Sequence, residues 1–298
     1  MNTASIGAVE RDTGLSKDTL RVWERRYGFP TPLRDEAGER VYSEEQVQRL
    51  RAIKRLMDRG MRPGKLMALD QAELQRLAQS HETASDATAS ATSAAFIELL
   101  RAHRGDDLRR ALGRAMVQLG LARFVTELVA PLATAVGEAW VRGELEIFEE
   151  HLFTESLQGV LRGAIAGMPE ASGPPRILLT TFPGEQHSLG LLMAESMLVM
   201  EGAQCVSLGT EMPVWDIARA AQAHEADVVA LSFSLAYSPT RATEGLAELR
   251  RMLAPTIDLW AGASSAVLGR RTPQGVAPVD NVAAVARMVA DWRLRHGS

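Results

Sequence analysis

The chain has 298 residues, 46% hydrophobic and 23% charged residues, and a net charge of −4. This is the composition of a soluble globular protein with two or three domains. Its single cysteine, Cys205, excludes an intrachain disulfide and a cysteine-based zinc site. Because no run of eighteen apolar residues and no secretion leader pattern occurs, we expect a cytoplasmic protein without a membrane anchor.

Charge is distributed unevenly along the chain. Residues 1–69 carry 14 basic and 10 acidic groups, whereas the remainder carries 19 basic and 27 acidic groups. A basic N-terminal end is suited to a polyanion such as DNA. A solvated charged face would give the same count, so charge alone leaves both interpretations open.

Residues 6–24 follow a helix, turn, helix pattern. The turn is centred on Gly14, and Ser16 or Thr13 is expected to cap the second helix. The apolar side chains that can meet inside are Ile6, Val9, Leu15, Leu20 and Trp23. The side chains left outward on the second helix are Lys17, Asp18, Arg21 and Arg25. This is helix-turn-helix spacing, although two-helix hairpins also occur in proteins that do not bind DNA.

The continuation to Met61 resembles the MerR family of winged helix-turn-helix regulators. The shared features are the Trp-Glu-Arg-Arg-Tyr-Gly run at 23–28, the hairpin over 38–42 and the Tyr-Ser-Glu-Glu start of the next helix. The resemblance implies that Lys17, Thr19 and Arg21 face the DNA major groove, and that Arg40 and Tyr42 on the wing contact the DNA backbone. It also implies dimers on a pseudo-palindromic promoter site, with half-sites about 34–36 Å apart. The alternative is that Arg40 and Tyr42 only pack and solvate the hairpin.

The middle of the chain is predicted to be a linker followed by helices. Residues 76–95 are rich in Ala, Ser and Thr and are expected to form a flexible linker after a DNA-binding domain over 1–75. Residues 96–168 are expected to form a four-helix bundle, because apolar residues recur at spacings of three and four. The predicted helices are Ala95–His103, Asp107–Leu119, Leu121–Val141 and Leu145–Ile165.

Residues 174–298 alternate between short β-rich runs and helical stretches. The predicted strands are Ile177–Phe182, Gln204–Leu208, Val228–Phe233 and Ile257–Ala261. The predicted helices are Leu189–Met200, Val214–His224, Thr243–Leu253 and Val282–Leu294. This repetition predicts a doubly wound, flavodoxin-like α/β domain, which binds ligands at the C-terminal ends of its parallel strands.

A histidine follows the first predicted strand of this domain. Glu185 stands two residues before His187 and could accept a ring N–H, while Gly190 allows a large flat ligand to approach. By themselves these residues fit an N-cap or a general-base pair equally well. The segment resembles the cobalamin-binding domain of the methionine synthase and methylmalonyl-CoA mutase type, with Glu in place of Asp. The resemblance implies that His187 binds cobalt and that Ser232 and Gly262 flank the nucleotide tail, although the later motifs are only partly kept.

Trp140, Glu150 and His151 complete a pattern that covers the whole chain. A tryptophan in a bundle is normally core, and a Glu-His pair on a helix is normally solvated. Together with the two motifs above, the pattern resembles the CarH and LitR group of adenosylcobalamin photoreceptor repressors. The resemblance implies that these three residues shield the adenosyl group. Val141 stands where members of the group can have a histidine that captures cobalt. Ile147 and Phe148 make the upper face apolar and bulky, which would favour a smaller upper ligand such as the methyl group of methylcobalamin.

The sequence therefore predicts a regulator and no enzyme. We expect a cobalamin-dependent, light-responsive repressor, dimeric or tetrameric, that binds promoter DNA in the dark and releases it when light breaks the cobalt–carbon bond. One alternative is a MerR-type regulator that senses a bilin, a small aromatic compound or the cobalamin level without light. Another is a subunit of a cobalamin-dependent methyltransferase or mutase. Such a subunit would need an additional substrate domain, and the three predicted domains leave no room for one.

Overall fold

A computed structural model describes residues 3–35, 38–58, 61–79, 87–169, 171, 173–263, 267–268 and 272–297. The chain divides into two compact units. The first unit comprises residues 1–84 and 137–146, and the second comprises residues 85–136 and 147–298.

The described residues in the N-terminal part of the first unit form three short strands and five helices. They are β1 Thr3–Ser5, α1 Ile6–Thr13, α2 Lys17–Tyr27, β2 Leu33–Arg34, β3 Arg40–Ser43, α3 Glu44–Asp58, α4 Pro63–Leu66 and α5 Gln71–Gln79. The strands form an antiparallel sheet in the order β1-β3-β2.

Helices α1 and α2 form the predicted helix, turn, helix arrangement. Gly14 ends α1 with a φ of 69°, in the left-handed region that glycine adopts at little cost. Ser16 caps α2, because its side chain accepts a hydrogen bond from the backbone N–H of Thr19. Four of the predicted inward side chains are buried, and Ile6 is half-buried against the same core.

The second unit begins with a helical region. Its elements are α6 Ala87–Arg101, α7 Gly105–Leu119, α8 Leu121–Arg123, a π-helical segment Phe124–Val129, α9 Ala130–Arg142, of which residues 137–142 belong to the first unit, and α10 Ile147–Ala166. Pro131 follows the π-helical segment and has no N–H to continue the regular ladder. The continuous stretch Leu121–Arg142 is long and apolar enough to cross a membrane. However, Phe124, Val125 and Val129 are fully buried inside the protein, as in the core helix of a soluble fold.

The predicted linker over residues 76–95 is partly wrong. Residues 76–79 end α5 and residues 87–95 begin α6, whereas residues 80–86 lie outside the described part of the chain. The physical reason is that alanine has the highest helix propensity, so an Ala-rich run continues a helix that is anchored elsewhere. For α6 the anchor is the buried trio Phe96, Ile97 and Leu100.

The rest of the second unit is a doubly wound α/β fold. Its elements are β4 Gly173–Thr180, α11 Leu189–Met200, β5 Ala203–Ser207, α12 Val214–Ala223, β6 Val228–Phe233, α13 Pro239–Met252, β7 Asp258–Ala263, β8 Ala277–Val279 and α14 Ala284–His296. All strand pairs are parallel, in the order β5-β4-β6-β7-β8. The four predicted strands are confirmed, and the three-residue strand β8 was missed. The chain order reverses between β4 and β6, which is where such sheets bind ligands.

The two faces of the sheet have different neighbours. Leu178, Val229 and Leu259 join the core cluster that includes residues of α12 and α13. Alternate residues of the same strands point to the opposite face, where α11 and α14 pack. Cys205 in β5 is mostly enclosed, and burial raises the pKa of its thiol to about 12, so it stays protonated at neutral pH.

Candidate functional site

The loop between β4 and α11 holds a paired carboxylate and imidazole. The Nδ1 atom of His187 lies 2.6 Å from Oε1 of Glu185. The backbone N–H of His187 donates to the same oxygen at 3.0 Å. The carboxylate–imidazole contact expected from the sequence is therefore present, and two bonds to one oxygen fix both the loop and the ring orientation.

Glu185 also connects the loop to the neighbouring strand. Its Oε2 atom accepts hydrogen bonds from the backbone N–H of Ser234 at 2.7 Å and from the Ser234 hydroxyl at 2.8 Å. Ser234 directly follows β6, so the carboxylate spans the point where the strand order reverses. Only 1% of the Glu185 side chain is exposed. Burial raises the pKa of Glu185, but the hydrogen bonds from His187 and Ser234 outweigh burial, and the net pKa is lowered.

The His187 side chain remains accessible, with 61% of its surface exposed. Because Nδ1 faces Glu185, Nε2 on the opposite edge of the ring is the atom suited to bind a metal. A single imidazole suits a metal that brings its other ligands in a macrocycle, as haem iron does.

A hydrogen bond links the helical region to this loop. The side-chain amide of Gln158 on α10 donates to the Ser188 hydroxyl at 3.0 Å. No pattern in the sequence predicts this contact, because a glutamine on a helix is usually solvated. It places the Gln158 face of α10 next to the loop that carries His187.

A narrow apolar slot opens beside the loop. Its volume is about 50 Å³. The lining residues are Leu179, Gly190, Leu191, Ala194, Leu198, Ala230, Leu231, Ser232, Trp260, Gly262, Val279 and Val285. The predicted trio of Gly190, Ser232 and Gly262 is thus brought together here. A Cβ atom at Gly190 would lie 2.3 Å from the Ser232 hydroxyl, so only glycine permits this close approach.

The predicted upper-face residues are distributed over both units. Trp140 on α9 belongs to the first unit, whereas Glu150 and His151 lie near the start of α10 in the second unit. Glu150 accepts a hydrogen bond from the Thr154 hydroxyl at 2.8 Å, and His151 is exposed. The convergence of these three residues on one ligand therefore stays a prediction.

The neighbouring carboxylate has a structural role that was missed. Glu149 is 6% exposed, and its Oε1 atom lies 3.2 Å from Nε2 of His103. The His103 ring in turn packs on Phe148, with ring centroids 5.3 Å apart. These contacts hold the start of α10 against the turn that follows α6.

The second helix of the helix-turn-helix presents a basic face. Lys17 and Arg21 are about half exposed; Lys17 pairs with Glu10 of α1, and Arg21 pairs with Asp18 of α2. Thr19 is half-buried and its hydroxyl lies 2.8 Å from that of the cap Ser16. Val22 is 41% exposed within this polar face, so it is a further candidate contact that the sequence analysis did not select.

The two predicted hairpin contacts differ in position. Arg40 is partly exposed and its Nε atom donates to Glu24 at 2.9 Å, so a DNA phosphate would compete with that carboxylate. Tyr42 is fully buried in the core of the unit, with its hydroxyl enclosed. The prediction that Tyr42 contacts the DNA backbone is therefore wrong in this arrangement, because side chains of β3 alternate between the two faces of the sheet and Tyr42 points inward.

Comparison with known proteins gives matches in both units. The model of the MerR helix-turn-helix family of regulatory proteins matches residues 4–73, and a B12 binding domain model matches residues 92–162. The transcriptional repressor CarH of Myxococcus xanthus is 30% identical over 89% of this chain and 90% of that protein. The repressor CarA of the same organism is 32% identical over 85% of this chain and 84% of that protein.

The chain belongs to the CarH-type family of cobalamin-binding MerR regulators. Members of this family are transcriptional regulators, and the chain is one of them. Its fold also matches the monomethylamine corrinoid protein of Methanosarcina barkeri, with a TM-score of 0.53 at 12% identity over 66% of this chain and 96% of that chain. At this identity the match shows a shared fold only.

The residues of this CarH-type regulator fit cobalamin. The ring of His187 is accessible and oriented by a buried carboxylate, which is the arrangement of a metal-binding imidazole. Beside the loop lies an apolar slot whose lining includes Gly190, Ser232 and Gly262. The loop thus carries an imidazole suited to a metal, and the slot beside it is apolar.

We expect the stability contribution of Glu185 to be lost in acid. Because its pKa is lower in the folded chain than the ordinary value of 4.5, the unfolded chain binds the proton first as pH falls. The contribution is present above about pH 4.5 and disappears as pH falls through the folded pKa. Glu185→Gln should cost about 1–3 kcal/mol at pH 6, and this cost should shrink toward pH 3.

The measurement is the free energy of unfolding in urea at a series of pH values. Glu248→Gln, which removes an exposed carboxylate on α13, is the control for loss of charge. A Glu185→Gln cost that stays constant from pH 6 to pH 3 would contradict the role of the ionised carboxylate.

Proposed function

We propose that this regulator is a light-responsive repressor that binds adenosylcobalamin through His187. The observation that carries the proposal is the hydrogen bond between Glu185 and Nδ1 of His187, which leaves Nε2 on the opposite edge of a ring that is 61% exposed. In this assignment Nε2 of His187 is the protein ligand to cobalt. Ser232 and Gly262 would hold the nucleotide tail in the slot beside the loop.

The upper face is assigned to the helical region. The contact between Gln158 and Ser188 supports this assignment, because it places one face of α10 next to the His187 loop. His151 lies seven residues before Gln158 and therefore on the same helix face, while Glu150 is one position away. With Trp140 they would shield the upper ligand from water.

When bound, adenosylcobalamin supplies a cobalt–carbon bond that visible light cleaves. The regulator needs no catalytic group of its own, since its side chains only have to interact differently with the cofactor before and after cleavage. The contacts of Trp140, Glu150 and His151 with the adenosyl group would exist in the dark form alone. Val141 cannot bind a metal, so the lit form would lack a second histidine on cobalt from this position.

The output is binding of promoter DNA by α2, in the cytoplasm. Lys17, Thr19 and Arg21 are proposed to enter the major groove, with the hairpin β2–β3 acting as a wing and Arg40 reaching the backbone. Two chains related by two-fold symmetry would read a pseudo-palindromic operator. Since both DNA-binding domains must contact their half-sites together, any change in oligomeric state changes operator occupancy.

We expect Arg21→Ala to reduce sequence discrimination. Arg21 is about half exposed on α2, and an arginine that reads a guanine edge contributes about 1–3 kcal/mol of discrimination. Fluorescence anisotropy with operator and scrambled duplexes measures the ratio of the two affinities. The matched control is Arg219→Ala on α12, which removes another exposed arginine. Equal ratios for Arg21→Ala and wild type would contradict the assignment of Arg21.

We expect light to separate the dark complex. The adenosylcobalamin form should elute as the larger oligomer and shift operator DNA in the dark, and green light should reduce both. Trp140→Ala should lose the difference between dark and light, because the contact that senses the adenosyl group is gone. Size-exclusion chromatography and gel shifts measure both effects.

Leu294→Ala is the control, because it removes an exposed apolar side chain near the C-terminus. It should keep the response to light. Identical elution and identical shifts of the wild-type holoprotein in dark and light would refute light sensing and leave a sensor of cobalamin level.

A further inference from the structure

The inner end of the slot is formed by residues that the cobalamin motifs do not include. Ser232 pairs in register with Gly262, and Ala230 pairs with Trp260 two residues further from the C-terminal edge of the sheet. Two residues of a strand span about 7 Å, so Trp260 lies well below the mouth. Its side chain is only 3% exposed. The slot is therefore a pocket that ends near an indole ring.

The chemistry of the slot is strongly apolar. Its lining side chains are aliphatic or alanine except for Ser232 and Trp260, and none of the described lining residues is charged or carries an amide. The side-chain hydrogen-bonding capacity is thus one hydroxyl and one indole N–H. A base that enters the slot therefore comes into contact mainly with apolar side chains.

Different lower bases make different demands on such a slot. A benzimidazole joined to ribose through one nitrogen has a single ring nitrogen left, and its benzo edge is apolar. An adenine joined in the same way has three ring nitrogens and an exocyclic amine. Each polar group that leaves water without a partner weakens binding by roughly 10-fold or more.

We propose that this slot selects cobamides with a benzimidazole-type lower base over those with a purine base. The inference depends on the proposed cobalamin site, since the slot must receive the nucleotide tail. Ser232 can serve the one ring nitrogen of a benzimidazole, while the flat faces of the base lie against Trp260 and aliphatic side chains. A purine would leave at least two polar groups unpaired.

The test compares three corrinoids on the full-length chain in the dark. They are aquocobalamin, its counterpart with adenine as the lower base, and aquocobinamide, which has no nucleotide. Dissociation constants come from absorbance titrations. We expect cobalamin to bind at least about 10-fold more tightly than either of the others. Equal affinity for cobalamin and the adenine cobamide would overturn the inference.

Variants test whether the slot is the cause. Val279→Asn adds an amide next to Gly262, and Ala230→Ser adds a hydroxyl next to Trp260. Each should lower the ratio of cobalamin to adenine-cobamide affinity by about 3- to 10-fold. Val117→Asn, on the exposed face of α7, is the matched control and should leave the ratio unchanged.

The outcomes separate this inference from the proposed function. A wild-type preference that neither slot variant changes overturns the assignment of selectivity to the slot. Tight binding of all three corrinoids with one common affinity keeps the cobalt site but overturns base selection. Failure to bind any of them refutes the cobalamin site itself and therefore also the inference about base selection.

Discussion

The proposed ligand site depends on the hydrogen bonds of the buried Glu185 carboxylate. One oxygen holds the backbone and the ring of His187, and the other holds the backbone and the hydroxyl of Ser234. A carboxylate with so little exposure is tolerated only when hydrogen bonds replace its hydration, and here four of them do. The same bonds that stabilise the charge therefore position the imidazole at the reversal point of the sheet.

The slot beside the loop depends on a close contact between Gly190 and Ser232. Gly190 starts the close approach of α11 to β6, and the Ser232 hydroxyl occupies the space that a side chain at Gly190 would need. The metal end of the site is thus polar and hydrogen-bonded, whereas the tail end is apolar. A ligand that combines a cationic metal with an extended, largely apolar base would satisfy both ends, and this supports the proposal of a single cofactor.

Residues with strong local signals were predicted well, and those that depend on tertiary contacts were not. The apolar run of α11 and the β-rich run of β6 predicted both elements with their observed bounds, because both lie in largely buried layers. Strand β8 has only three residues, too few for a period. Tyr42 was misplaced because a tyrosine on a short strand fits an interior or an exposed position equally well, and only the register of β3 decides. Gln158 and Glu149 were missed because each acts through a partner far away in sequence.

The central claim is that His187 is the protein ligand to cobalt, and electron paramagnetic resonance tests it directly. In the Co(II) form of the holoprotein, the unpaired electron couples to the axial nitrogen. With ¹⁵N-histidine-labelled chain and unlabelled cobalamin, the account predicts a two-line nitrogen splitting that is lost in His187→Ala and kept in His296→Ala. A three-line splitting in the labelled wild-type protein would mean that the benzimidazole of the cofactor remains on cobalt, which would contradict the account.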